Sequence, residues 1–224
     1  MAIDEKAVVS ACNQLPLIGN EDGLIPAFGL YLSRHYADFY NLSSFEAVRQ
    51  IEAQHPAILH QAEQGLVEAG MLCAFYTFGG IMLSQEWEAV VMPMVETVDD
   101  WVAGIVAVVN SFGWGKWVIE GFVPGERLEI SIANSYESTG WLSRYENSSR
   151  PRCYLVKGGC AGIMNLLYQG DIRQRPNLTP EYFEKCFHSP DSFRCEELTC
   201  RTMGDDVCRF VTTRMTSAFD SSAL

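Results

Sequence analysis

The stretch "CEELTCRTMGDDVCRF" (195–210) places three cysteines and two adjacent glutamates in sixteen residues. Residues 195–201 and 207–213 have strand composition, and the glycine and aspartates between them are typical of a tight turn. Directly opposed residues of such a hairpin have Cβ atoms about 4.5–5.5 Å apart. The sequence therefore predicts that Cys200 and Cys208 face each other across this hairpin.

Four interpretations of these thiols remain open from spacing alone. A disulfide has suitable geometry, but cysteines in a chain without a secretory signal are expected to stay reduced. A redox pair lacks the C-x-x-C spacing that usually lowers a thiol pKa. A metal site is favoured by Glu197, three residues before Cys200, because zinc accepts both sulfur and oxygen ligands. The last interpretation is that the thiols are small buried hydrophobic groups.

Composition and charge disfavour several classes of function. The chain has 224 residues, 48% of them hydrophobic and 20% charged, which is typical of a globular protein. Its net charge of −12 disfavours contact with nucleic acid or an anionic membrane surface. No stretch reaches about 18 uninterrupted apolar residues, the length that a membrane span needs. We therefore expect a cytoplasmic protein that binds neither nucleic acid nor a membrane.

Hydrophobic periodicity divides the chain into three parts that are expected to form one compact unit. They are a helical N-terminal region (1–95), an α+β core (96–213) and a flexible tail (214–224). At 117–134 the period changes from about 3.6 to 2, which predicts a β-hairpin. Helices of the core are predicted at 99–113, 154–169 and 181–187. The small residues of the second permit a close backbone approach, and Thr179 is expected to cap the third. The fold class is therefore α+β, with helices packed against an antiparallel sheet.

Two helical segments are predicted in the N-terminal region, at 45–70 and 71–95. Ser43 has capping-box spacing before the first of them. Pro56 should kink or divide this segment, because proline cannot donate the hydrogen bond of a helix interior. Gly70 is expected to end it.

Three motifs occur in the order found in a known family. The last hairpin contains the pattern E-x-x-C-x-x-x-G-x-x-x-C-x-F, formed by Glu197, Cys200, Gly204, Cys208 and Phe210. Upstream lie "PRCYLVKGGCAGIMNLLY" (151–168) and "RLEISIANSYES" (127–138), the second ending in a Ser-aromatic-Glu step. In these motifs the chain resembles the 4-vinyl reductase domain family, which includes the effector-sensing domains of phenol- and xylene-responsive transcription activators.

The resemblance implies a fold and a metal site. The fold would be an antiparallel sheet with helices packed against it, related to that of vesicle-tethering subunits. In the sensor branch of the family, a zinc ion is held by the cysteine that opens the helix and by three residues of the final hairpin. The corresponding residues here are Cys153, Glu197, Cys200 and Cys208. Four protein ligands leave no position for water, so such a zinc would be structural.

The segment between Tyr168 and Arg194 departs from the family pattern, because it is longer than the resemblance leads us to expect. It adds further residues of metal-binding types. The residues that could replace one of the four ligands are Cys160, Cys186, Cys195 and His188.

The resemblance also implies a buried pocket that encloses a small apolar or aromatic molecule. Aromatic residues at helical or strand spacing usually belong to the core, but Trp and Tyr carry a polar atom that can orient a ligand. In the phenol sensors a strand tryptophan helps to hold the phenolic hydroxyl, and Ile132 takes that position here, so simple phenols are not expected. The candidate ligand-binding residues are Phe75, Tyr76, Trp101, Trp117, Ile132, Tyr136 and Tyr154.

The predicted function is that of a homodimeric small-molecule-binding protein with a structural zinc site. Two alternatives stay open: an enzyme or accessory protein of tetrapyrrole vinyl-group reduction, and a dimeric scaffold. The sequence has no motif typical of a catalytic nucleophile, a zinc protease or a phosphate-binding loop, so no catalytic residue is assigned. It has neither an ATPase nor a DNA-reading segment, so a complete activator is not expected.

Overall fold

The structure is a computed structural model that describes residues 2–36 and 38–215. Its strands are β1 (Ile25–Ala27), β2 (Leu30–Leu32), β3 (Lys116–Val123), β4 (Arg127–Ala133), β5 (Phe193–Thr199) and β6 (Cys208–Arg214). Its α-helices are α1 (Glu5–Asn13), α2 (Asp38–Gln54), α3 (Leu59–Cys73), α4 (Gly79–Leu83), α5 (Gln85–Val90), α6 (Val98–Val109), α7 (Tyr136–Leu142), α8 (Tyr154–Met164) and α9 (Pro180–Phe187).

The main sheet is antiparallel, with the strand order β3-β4-β6-β5, and β1 and β2 form a separate short hairpin. The predicted hairpin at 117–134 forms β3 and β4, and Leu128, Ile130 and Ile132 alternate along β4 as buried side chains. Pairing of β4 with β6 joins this hairpin to the last one and places Cys208 opposite Ile132. The predicted α+β fold, with helices packed against an antiparallel sheet, is confirmed.

Helix α8 lies between α3 and the main sheet. A Cβ atom added at Gly158 would overlap the backbone of Val67 and Met71, and one added at Gly70 would lie 2.5 Å from the Leu155 carbonyl oxygen. Only residues without a side chain permit two helices to approach so closely. The close backbone approach predicted from the small residues of α8 is confirmed.

Helix α2 begins earlier than its predicted cap. Its first residue is Asp38, so Ser43 lies inside the helix. The Ser43 hydroxyl donates to the carbonyl oxygens of Phe39 (3.2 Å) and Tyr40 (3.0 Å). Serine in a helix interior often bonds back to the preceding turn in this way, so capping-box spacing also occurs where no helix begins. The predicted cap at Ser43 is therefore wrong.

The break at Pro56 is confirmed, because α2 ends at Gln54 and a 3₁₀ turn, Pro56–Ile58, precedes α3. The predicted end at Gly70 is wrong. Helical structure continues through a π-helical segment, Ala74–Phe78, and reaches Leu83. Gly70 serves the contact with α8 instead, and tertiary packing outweighs the weak helix preference of glycine.

The continuous helical run Pro56–Leu83 is long and apolar enough to cross a membrane, because an 18-residue window within it has a mean hydropathy of 1.6. Half of the residues in that window are buried inside the chain. A core helix meets the same criterion, so the run is weak evidence for a span. Polar residues are interspersed along Pro56–Leu83, so the sequence contains no uninterrupted apolar stretch there that is long enough to span a membrane.

Helix α6 passes through the core and begins at a capping box formed by Thr97 and Asp100. The helix predicted at 99–113 is confirmed, although it ends at Val109. The predicted cap of α9 is also present, since the Thr179 hydroxyl accepts from the Tyr182 amide at 3.2 Å.

The last described strand extends slightly past the predicted core boundary. Arg214, which was assigned to the tail, is the final residue of β6. The remainder of the predicted flexible tail, from residue 216 onward, lies outside the described residues.

Candidate metal centre

A β-bulge brings Glu197 and Cys200 to the same side of the last hairpin. Side chains alternate between the faces of a regular strand, so residues three apart point in opposite directions. The pairing of β5 with β6 includes Glu197 and Thr199 but skips Leu198, which is exposed. Because Leu198 is an extra residue in the strand, Glu197 and Cys200 point to the same side although they are three residues apart. Cys200 is fully buried, just beyond the end of β5.

The four predicted ligands lie together where this hairpin meets the start of α8. The Sγ atom of Cys153 is 3.9 Å from that of Cys200 and 3.7 Å from that of Cys208. The Sγ atoms of Cys200 and Cys208 are 4.0 Å apart. With one carboxylate oxygen of Glu197, the four ligand atoms lie within 4.8 Å of one another. The three cysteines are completely buried, whereas Glu197 is partly exposed.

These dimensions suit a tetrahedral zinc ion. Zn–S bonds of about 2.3 Å give S–S edges of about 3.8 Å in a regular tetrahedron. The sulfur–sulfur distances of 3.7, 3.9 and 4.0 Å are close to that value. A disulfide needs about 2.05 Å, and all eight cysteines, which lie within the described residues, are free. Three sulfurs and one carboxylate are a donor set that zinc accepts.

Burial disfavours the charged forms of the Glu197 carboxyl and of the thiols when no cation is bound. Desolvation, reinforced by Cys200, raises the pKa of Glu197 to about 10. Burial also raises the pKa of Cys153, whereas hydrogen bonds from Cys153 and Cys200 lower that of Cys208. The Glu197 Oε1 atom is buried without a hydrogen-bond partner among the described residues. A bound cation would displace protons and satisfy this oxygen.

Each sulfur also contacts a polar group of the surrounding protein. Such contacts orient metal ligands and tune their basicity. They are Ser135 Oγ with Cys153 Sγ (3.5 Å), Thr202 Oγ1 with Cys200 Sγ (3.1 Å), and the Arg201 amide with Cys208 Sγ (3.4 Å). The turn that carries Cys200 is fixed as well, because the Cys200 amide donates to the Asp205 carboxylate at 2.8 Å.

The four alternative ligands do not join this cluster in the described structure. Cys160 lies two turns further along α8, where its thiol neighbours that of Cys195 on β5. Cys186 is buried in α9. Both ring nitrogens of His188 are hydrogen-bonded to glutamate carboxylates instead.

Glu137 fixes the first turn of α8, next to Cys153, a role that the sequence did not reveal. Its fully buried carboxylate accepts hydrogen bonds from the amides of Leu155 (3.1 Å) and Val156 (3.0 Å), in the first turn of α8. Desolvation raises its pKa to about 7, although these hydrogen bonds oppose the shift. The Ser-aromatic-Glu step was a usable signal, but only the fold shows that its glutamate caps the helix opened by Cys153.

Of the candidate ligand-binding residues, the structure brings Trp117 and Ile132 together. They are directly opposed on β3 and β4, and both are fully buried. The Trp117 ring faces α8, since a Cβ atom at Gly159 would lie 3.7 Å from it. Its indole Nε1 has no hydrogen-bond partner among the described residues.

Among the other five candidates, Phe75 and Tyr76 are in ring contact, with centroids 4.9 Å apart. Phe75 packs in an aromatic cluster with α9, and Trp101 packs against Trp87. Tyr136 contacts Tyr40, the Tyr154 hydroxyl donates to Glu63 (2.9 Å), and Tyr76 is partly exposed.

Two concavities of the described surface bear on the candidate sites. The larger, of about 510 Å³, lies beside α1 and β3 and is lined by residues such as Glu5, Asn110 and Lys116, none of them a predicted site residue. The smaller, of about 240 Å³, adjoins the four-ligand cluster and is lined in part by Tyr154 and Glu197. A pocket shared by all seven candidates stays a prediction.

Comparison with known proteins identifies the fold. No protein-family model matches the sequence, and no curated protein matches it. The structure is similar to the crystal structure of the phenol-responsive sensory domain of the transcription activator PoxR with phenol. The TM-score is 0.64 and the identity 11%, over 96% of this chain and 92% of that one. The predicted resemblance to an effector-sensing domain is thus confirmed at the level of the fold.

Two further solved structures are similar at lower scores. One is a trafficking protein particle complex subunit 3 from Naegleria fowleri, covalently bound to palmitic acid, with a TM-score of 0.48, 13% identity, and 80% and 95% of the two chains covered. The other is a vinyl-4-reductase family protein from Methanocaldococcus jannaschii, with a TM-score of 0.42, 12% identity, and 96% and 99% covered.

Proposed function

We propose that this chain is a small-molecule-binding domain of the sensory type, with a structural zinc ion that holds its C-terminal half together. The observation that carries the proposal is the fold shared with the PoxR sensory domain over 96% of this chain. That domain is a phenol-responsive one and was crystallised with phenol. A shared fold does not transfer a ligand, so the chemistry of the ligand depends on this chain's own residues.

The residues at the opposed pair of Trp117 and Ile132 favour an apolar or aromatic molecule with one hydrogen-bond acceptor. Ile132 offers only apolar surface, where the resemblance leads us to expect a tryptophan donor. Trp117, on the neighbouring strand, has a buried indole N–H without a partner among the described residues. A buried donor left unpaired costs about 1–3 kcal/mol, so a ligand oxygen that accepted from it would bind more tightly than a purely apolar molecule.

The proposed zinc ligands are Cys153, Glu197, Cys200 and Cys208. Two observations support this set. The sulfur–sulfur distances are close to those of a tetrahedral site, and one Glu197 oxygen is buried without a partner among the described residues. With four protein ligands the ion would be structural, and it would fasten the start of α8 to the last hairpin.

The proposal includes a homodimer in the cytoplasm. The eight free cysteines suit a reducing compartment. Ile58, Leu72 and Tyr76 lie along one helical run and are exposed by 50%, 39% and 41%, respectively, which suits a covered apolar face. Sedimentation equilibrium of the purified chain tests this part, and a monomer at micromolar concentration contradicts it.

Thermal unfolding with small aromatic probes tests the ligand. We expect acetophenone, which has an acceptor, to raise the melting temperature more than ethylbenzene, which has none. Trp117→Phe should abolish the difference, because it keeps the ring and removes the donor. Trp87→Phe is the matched control, since Trp87 also has a buried indole nitrogen without a partner among the described residues. Equal shifts with both probes in the wild type would refute the proposed donor.

Native mass spectrometry of protein from its own host tests the class of function. A co-purifying monocyclic aromatic molecule supports the sensory domain. A conjugated tetrapyrrole supports vinyl-group reduction instead, and a chain that carries no small molecule supports a scaffold.

Metal analysis of the purified chain tests the zinc site. We expect about one zinc per chain, as for a closed four-ligand site. Cys200→Ser and Cys208→Ser should lose it, because serine replaces a thiolate by a much weaker ligand. Cys160→Ser and Cys195→Ser should keep it, since these thiols lie outside the cluster. Wild-type protein without stoichiometric metal would end the zinc proposal.

A further inference from the structure

Three of the four proposed ligands are sealed in the protein, and the fourth reaches a groove. Cys153, Cys200 and Cys208 have no exposed surface. Glu197 is partly exposed and lines the concavity of about 240 Å³ beside the cluster. A cation that entered from solvent by this groove would meet Glu197 before any sulfur.

Glu197 is also the ligand that the protein holds least firmly. Its Oε2 atom accepts one long hydrogen bond, 3.4 Å, from the Cys153 amide. Its Oε1 atom has no partner within the described structure. Each sulfur, by contrast, contacts a polar group besides the other thiols. A carboxylate oxygen is in addition a harder ligand than a thiolate for a soft cation, so it is the ligand expected to leave first.

The walls of the groove carry charges that act on a passing cation. The Arg150 guanidinium pairs with the Glu63 carboxylate at 3.2 Å, and Glu63 also pairs with Arg152 at 3.6 Å, so the negative charge of Glu63 is neutralised within the wall. Lys157 lines the same groove, and no ion pair of its ammonium group occurs among the described residues. Lys157 therefore presents an uncompensated positive charge on the path to Glu197, and it would slow a dication in either direction.

We propose that this groove is the route by which the metal ion enters and leaves the centre, with Glu197 as the ligand that releases first and Lys157 as the charge that sets the rate. The inference rests on the proposed zinc site. It assigns to the site an exchangeable ion, in contact with solvent through one carboxylate, rather than an ion trapped during folding. The groove would take a hydrated divalent cation or a small chelating molecule that removes it.

Stopped-flow uptake of Zn²⁺ by the metal-free full-length chain tests the route. Lys157→Glu should raise the association rate at least about threefold at low salt, because electrostatic steering changes such rates by factors of 10 or more. The gain should shrink as salt is added. Lys157→Gln should give a smaller gain in the same direction. Lys185→Glu, an equal charge change on the exposed surface of α9 outside the groove, should leave the rate within about twofold of the wild type.

Release of the ion to a chromophoric chelator gives a second readout. Glu197→Ala should still bind one zinc at saturating metal but release it at least about tenfold faster, since one of four ligands is gone. Equal uptake rates for Lys157→Glu and Lys185→Glu would overturn the route while leaving the zinc site intact. A wild-type chain that binds no zinc would overturn both the site and the route.

Discussion

Among the contacts that helix α8 makes with the rest of the protein, two are of opposite kinds. On one side it meets α3 through Gly70 and Gly158, where the two backbones touch and there is no space for a Cβ atom. At its start it meets the last hairpin through Cys153, which lies close to the three proposed ligands of that hairpin. The first contact depends only on how closely the two backbones pack, whereas the strength of the second depends on what the cluster binds.

The difference separates what is permanent in the fold from what is conditional. A chelator cannot alter the glycine contact, and a glycine substitution cannot change the donor set of the cluster. Variants of each contact should therefore respond differently to zinc. Two predictions use that difference, and two more concern contacts that depend on pH instead.

Gly158→Ala should have the largest effect and should lower the free energy of unfolding by about 4 kcal/mol. The new methyl group would overlap the backbone of α3, and a helix backbone cannot move aside as a side chain does. Gly159→Ala is the matched control. Its Cβ atom would meet its nearest neighbour at 3.7 Å, so we expect no loss, or a gain of up to about 1 kcal/mol from helix propensity. Urea unfolding with and without a chelator measures both, and equal stabilities of the two variants contradict the backbone contact.

Removal of zinc should have the next largest effect. At a free zinc concentration of one hundred times Kd, binding stabilises the folded state by about 2.7 kcal/mol, and a chelator should remove this amount. The loss should be the same in Gly159→Ala, because that substitution does not touch the cluster. In Cys208→Ser the chelator should have no effect. A wild-type chain with identical urea unfolding in zinc and in chelator would show that the contact at the hairpin is not conditional.

The sequence revealed more of the cluster than of the glycine contact. The small residues of α8 indicated a close helix contact, but not that its partner was α3. Gly70 was interpreted as a helix end because glycine weakens helices, and only the partner backbone explains its presence within a helical run. Family resemblance suggested the four proposed ligands, and the structure brings these four residues together. The bulge at Leu198 was not predictable, since an extra residue in a strand leaves no period in the sequence.

Ligand-binding residues are harder than the cluster to predict from the sequence, for a physical reason. Phe75 and Trp101 have the burial expected of a pocket wall, but burial in a pocket and burial in a packed core have the same hydrophobic pattern. Trp117 differs from them by an unpaired indole N–H, which depends on the positions of all its neighbours. Sequence periodicity contains no information about such an absence.

Asp100 provides a contact that is conditional on pH and not on metal. Burial by itself would raise its pKa, but hydrogen bonds from the amides of Ala2, Glu96 and Thr97 outweigh it and lower the pKa. A depressed pKa contributes stability above the unfolded value of about 3.9, and this stability is lost as the pH falls through the folded value.

Asp100→Asn should therefore cost about 2 kcal/mol at pH 7, with no dependence on chelator, and the cost should diminish below about pH 4. Asp99→Asn, a change of the same kind at the neighbouring position, should cost less than about 0.5 kcal/mol. Urea unfolding at pH 7 and at pH 3.5 measures both variants. A cost that stayed constant over this range would contradict the role of the Asp100 charge.

His188 should have the smallest effect, and it completes the comparison because it fastens α9 to α3, the same helix that contacts α8. Partial burial lowers its pKa, but the carboxylates of Glu184 (2.7 Å) and Glu68 (2.9 Å) outweigh burial and raise it. The resulting stability is complete below the unfolded value of about 6.5 and is lost as the pH rises through the folded value. Because these groups are partly exposed and screened by solvent, His188→Gln should cost less than about 1 kcal/mol at pH 6 and nothing at pH 9. The exposed control His55→Gln should show no such difference in urea unfolding, and neither variant should alter the response to chelator, since the α9 contact shares no ligand with the cluster.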